Sequence, residues 1–99
     1  MEKHTAHCKL EHVKALIAAN KVRATISAAN CAREVGVHNL QEMCNVIASL
    51  TRSDFYKSMT THTDHRVWQD VYHAAVNGYS VYVKLTVVDD LLIVSFKEK

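Results

Sequence analysis

The chain has 99 residues, 48% of them hydrophobic, and a formal net charge of +2. That is enough apolar sequence for a packed core, so disorder is excluded, and a chain this short reads as one domain over residues 1–99. Three cysteines without C-x-x-C spacing make no disulfide framework, and the polar start Met1–His7 is not a signal peptide. No apolar run reaches the ~20 residues that a membrane span needs, so a cytoplasmic location without membrane attachment is expected. The mild positive charge permits a nucleic-acid partner without requiring one.

Residues 5–19 have helical spacing, with Thr5 as cap and Leu10, Val13, Leu16 and Ile17 on one stripe. Val22–Thr25 reads as a short strand. Ser27 caps a second, Ala-rich helix to about Val35, and Gly36 suits its termination. Asn39-Leu-Gln-Glu42 resembles a capping box and opens a third helix through Leu40, Met43, Ile47 and Leu50. After Thr51 the period changes from helical to alternating. Phe55–Thr61, Val67–Val76, Tyr79–Val88 and Leu91–Lys97 read as strands, with turns at Asn77-Gly78 and Asp89-Asp90. A helical half followed by a run of strands implies an α+β fold. Its N-terminal helices would pack on one face of a mainly antiparallel sheet.

Hairpin register then tells which side chains share the uncovered face. A two-residue turn at Asn77-Gly78 sets His73 opposite Tyr82. A two-residue turn at Asp89-Asp90 sets Lys84 opposite Ser95 and Tyr82 opposite Lys97. One face thus carries Gln69, His73, Tyr82, Lys84, Ser95 and Lys97, and no carboxylate. Cations, a phenol, an imidazole and an amide suit a phosphodiester better than a metal or a sugar: lysines neutralise phosphate oxygens, and Tyr82 or His73 moves protons. The bland alternative is an ordinary solvated sheet face.

His4, His7, Cys8 and His12 offer i,i+4 pairs that could hold zinc, but a solvated helix start accounts for them as well. His62 and His65 flank a turn, and Cys31 and Cys44 fit as small core residues. No Gly-rich phosphate loop, nucleophile elbow or H-E-x-x-H is present.

Several strings together closely resemble the MqsR family of bacterial type II toxin–antitoxin systems. They are Met43-Cys-Asn-Val-Ile47, Phe55-Tyr-Lys-Ser-Met-Thr-Thr61, Asp64-His65, Trp68-Gln-Asp-Val-Tyr72 and Val81-Tyr-Val-Lys-Leu-Thr-Val87, with Leu92 through Lys99. The resemblance implies a RelE/YoeB-like toxin fold and an mRNA interferase that cuts single-stranded mRNA at GC-containing sites without ribosome, metal or cofactor. It also implies an MqsA-like, zinc-containing antitoxin that inhibits the toxin and alone contacts operator DNA. The family's active-site residues fall on Lys57, Gln69, Tyr82 and Lys97, with Lys84 and His73 as further substrate-binding candidates. Tyr72-His-Ala-Ala-Val76 lacks the arginines expected there and brings in His73.

Lys57 is the difficult member. A four-residue loop, Thr63 to Arg66, would turn it toward the helices. Its place beside Gln69 therefore requires an odd-length loop or a bulge between Thr61 and Val67. The competing functional class is an RNA- or protein-binding module without turnover.

Overall fold

The computed structural model describes Met1–Lys99. Three helices, α1 (Leu10–Ala18), α2 (Ile26–Glu34) and α3 (Leu40–Ala48), lie with one six-stranded sheet in an α+β arrangement. The strands are β1 (Glu2–Lys3), β2 (Val22–Ala24), β3 (Phe55–Thr60), β4 (Trp68–Val76), β5 (Tyr79–Val88) and β6 (Asp90–Glu98), in spatial order β1-β3-β4-β5-β6-β2. All pairings are antiparallel except β2 with β6. No helix is long and apolar enough to cross a membrane.

The helices contribute Val13, Leu16, Ala28, Ala32, Met43 and Ile47 to one core with Tyr72, Val81, Val83, Leu85, Leu91, Ile93 and Phe96. Alternation along β4 and β5 therefore sends every second side chain into this core and its neighbours to the opposite side.

Helix starts depart from the sequence expectation for local reasons. α1 begins at Leu10 rather than near Thr5, because the His7 and Cys8 N–H groups donate to the Asp70 carboxylate at 2.9 and 3.0 Å. Those donors and their backbone are thereby fixed outside a helix. α2 is capped by Thr25, not Ser27. The Thr25 hydroxyl accepts from Ala28 N–H at 3.0 Å and donates to the Val94 carbonyl at 3.0 Å, which ties the helix start to β6. Asn39 caps α3 by accepting from Glu42 N–H, while the Glu42 carboxylate reaches back to His38 N–H instead of to Asn39 itself.

Asn77-Gly78 is the two-residue turn anticipated, with φ of 51° and 85°. Its Asn77 amide donates to the Val35 carbonyl at 2.9 Å. A Cβ on Gly36 would sit 2.9 Å from that amide nitrogen, and Gly36 has φ +81°, so both space and backbone call for glycine there. The β5–β6 turn is tighter than expected: Val88 faces Asp90 across Asp89 (φ 65°). A bulge at Val94, between Ile93 opposite Leu85 and Ser95 opposite Lys84, then restores the register inferred from a two-residue turn. The bulge also lets Ile93 and Phe96, three positions apart, both face the core at 0% exposure.

Candidate active site

The open face of the sheet gathers most of the residues singled out from the sequence. Tyr82 lies centrally on β5, opposite His73 of β4 and Lys97 of β6, and Lys84 lies opposite Val71 and Ser95. Lys57 is opposite Val71, and Gln69 is opposite Met59, so both share this face. Two irregularities place Lys57. Thr61 N–H donates to the Val67 carbonyl, which closes an odd-length loop, His62–Arg66. A bulge at Tyr56 then separates the Phe55–Tyr72 pair from the Lys57–Val71 pair.

That second bulge has a chemical consequence. Phe55 turns to the core and meets Tyr72 edge-on with centroids 5.5 Å apart, while Tyr56 stacks on His73 at 4.5 Å. Tyr56 is 49% exposed and was not among the sequence candidates, because strict alternation forbids chain neighbours Tyr56 and Lys57 from serving one face. The pair Tyr56–His73 forms an aromatic ledge beside Tyr82, whose ring centroid is 6.3 Å from that of His73.

Cations surround Tyr82. The Lys84 and Lys97 ammonium groups stand 5.7 and 5.6 Å from its ring centroid, and Lys57 Nζ is 5.3 Å from that of Tyr56. Neither Lys84 nor Lys97 is in an ion pair, whereas Lys57 bonds the Glu2 carboxylate at 2.5 Å. Glu2, like Tyr56, escaped the sequence reading: β1 is two residues long and shows no periodicity. The face therefore holds a carboxylate after all, supplied from the start of the chain.

Burial raises the Tyr82 pKa above its ordinary value of 10, against the opposing pull of Lys57. The phenol is thus a proton donor at neutral pH and not a base. Burial and then the Lys99 ammonium, 3.4 Å from its Nδ1, lower the His73 pKa below 6.5, so its imidazole is neutral at pH 7. Burial, followed by repulsion from Lys97 and Lys57, lowers that of Lys84. The hydrogen bond with Glu2 raises that of Lys57. The arrangement can receive an anion over Tyr82 and offers a neutral imidazole and a phenol for proton transfer.

The N-terminal histidine and cysteine cluster is dispersed, and no three metal-capable side chains converge anywhere in the chain. His7 instead stacks on Trp68 at 5.6 Å.

A family model described as "Motility quorum-sensing regulator, toxin of MqsA" matches residues 5–98. The mRNA interferase toxin MqsR of Escherichia coli (strain K12) is 54% identical over 99 residues, covering the whole of both chains.

Proposed function

The chain belongs to the MqsR toxin family, and from that premise we propose that it is an endoribonuclease, an mRNA interferase acting on single-stranded mRNA in the cytoplasm. The observation that carries this reading is the cluster of Lys57, Lys84 and Lys97 around Tyr82, on an open sheet face with Gln69 and a stacked aromatic pair. A flat cationic surface with an aromatic ledge fits an extended strand, whose phosphates take the lysines and whose bases stack.

In the proposed reaction the RNA 2′-oxygen attacks the adjacent phosphorus, the bond to the 5′-oxygen breaks, and a cyclic phosphate and a 5′-hydroxyl result. The neutral His73 imidazole takes the 2′-hydroxyl proton at Nδ1, the nitrogen that otherwise accepts from the Lys99 ammonium, which gives way to the substrate. Tyr82, held protonated by burial, gives a proton to the departing 5′-oxygen. Lys57 and Lys97 stabilise the charge that grows on the phosphorane oxygens, Lys84 holds the flanking phosphate, and the Gln69 amide orients the reacting one. Tyr56, backed by His73, stacks a neighbouring base. Cleavage at GC-containing sites, independence of metal and ribosome, and inhibition by an MqsA-like zinc-containing antitoxin complete the proposal.

Purified protein incubated with a GC-containing single-stranded RNA in excess EDTA tests it. Discrete fragments ending in cyclic phosphate are expected. RNA that is bound yet intact across a wide protein range would instead identify a binding module without turnover.

A further inference from the structure

The open face brings Lys57, Lys84 and Lys97 together, and burial first, then repulsion from Lys97 and Lys57, lowers the Lys84 pKa. Of the three, only Lys57 meets an anion in the free protein, and the chain itself provides it. Strand β1 pairs Glu2 with Met59 and Lys3 with Ser58, which brings the Glu2 carboxylate onto Lys57 Nζ. This edge strand is firmly rooted. Its Lys3 ammonium lies 4.1 Å from the Trp68 ring centroid and 3.1 Å from His7 Nδ1, and Asp70 holds the next turn through the His7 and Cys8 N–H groups.

The Glu2 side chain, in contrast, is 52% exposed, while that of Lys57 is 20% exposed. The carboxylate can therefore rotate away into water without unpairing β1. A carboxylate and a phosphodiester are both charge-assisted acceptors for an ammonium, and they repel one another. Resting on the ribonuclease reading of this face, we propose that Glu2 is a built-in stand-in for the RNA phosphate. It occupies Lys57 in the free protein, is displaced by the scissile or neighbouring phosphodiester, and so sets how strongly the site attracts RNA.

Neutralising Glu2 removes the competitor that the strand must displace from Lys57, while the number of phosphates met in the complex stays the same. For single-stranded nucleic acid each phosphate neutralised adds about 0.7 to the slope of log affinity against log salt. Binding is measured by fluorescence anisotropy with an oligonucleotide carrying 2′-deoxy substitutions, which cannot be cleaved, over a range of salt. Glu2→Gln is expected to bind roughly two- to fivefold tighter at low salt, the range of an exposed ion pair, with the slope unchanged because Lys57 meets a phosphate in both complexes. Glu2→Ala is expected to behave alike. In a Lys57→Gln background the Glu2→Gln gain disappears, because the stand-in then has nothing to occupy. Unchanged or weaker binding by Glu2→Gln overturns the proposal, and so does an equal gain in the Lys57→Gln background, which would mark a general charge effect. Since the probe reports binding alone, a wild-type protein that fails to cut all-ribose RNA would refute the ribonuclease reading separately.

Discussion

Strands β4, β5 and β6 carry two surfaces on the same backbone. On the covered side Tyr72, Val83, Leu85, Ile93 and Phe96 are essentially inaccessible to water and fix the helices to the sheet. One residue away along the same strands, His73, Tyr82, Lys84 and Lys97 face outward. The covered side is specified by volume and tolerates no loss. The open side carries lysines, an imidazole and a phenol, so the two should be separable by substitution.

The sharpest test of that separation pairs one change from each side. Tyr82→Phe keeps the ring and loses the proposed proton donor, so RNA cleavage is expected to fall roughly 10²- to 10⁴-fold. Melting temperature should barely move, and full activity would remove Tyr82 from the mechanism. Phe96→Ala opens a cavity at a fully buried site, and denaturant titration should register a loss of about 3–5 kcal/mol.

Asp70 tests the seam between the surfaces. It is 5% exposed on the covered side and holds the segment that presents Glu2 to the open side. Asp70→Ala should cost about 1–3 kcal/mol of stability, measured by chemical denaturation, because the part-buried His7 and Cys8 N–H groups lose their charged acceptor. Tyr56→Ala should weaken binding of uncleavable RNA by about 1–3 kcal/mol, the worth of one stacked base, with the fold intact by circular dichroism. The gentlest perturbation is pH. As the His73 pKa lies below 6.5, the cleavage rate should be flat near neutrality and fall only as pH drops through that lower value. A decline already under way at pH 7 would contradict the assigned proton acceptor.

Local chemistry makes much of the candidate site legible in the sequence. Clean alternation in Val81–Val87 and the Asn77-Gly78 turn placed His73 opposite Tyr82, and the structure has that pair. The pairs Lys84–Ser95 and Tyr82–Lys97 were also reached, although by a route the molecule does not use: a tighter turn at Asp89 offset by the bulge at Val94. Lys57 required an odd-length loop, and that loop is present with a second irregularity at Tyr56. Tyr56 and Glu2 were illegible for different reasons. A bulge breaks the period-2 rule at the very residue it exposes, and a two-residue strand has no period to read.

The sequence by itself determined the element types, the α+β class and the identity of most residues on the open face. Each depends on interactions between near neighbours in the chain: side-chain period, caps and turn residues. Only the tertiary structure decided where helices α1 and α2 begin, where the strands bulge, and that a carboxylate from the first strand meets Lys57. Those outcomes depend on contacts between residues far apart in sequence, such as Asp70 with His7, Thr25 with Val94 and Glu2 with Lys57. No local pattern encodes such contacts, because their free energy arises only when the folded sheet brings the partners together.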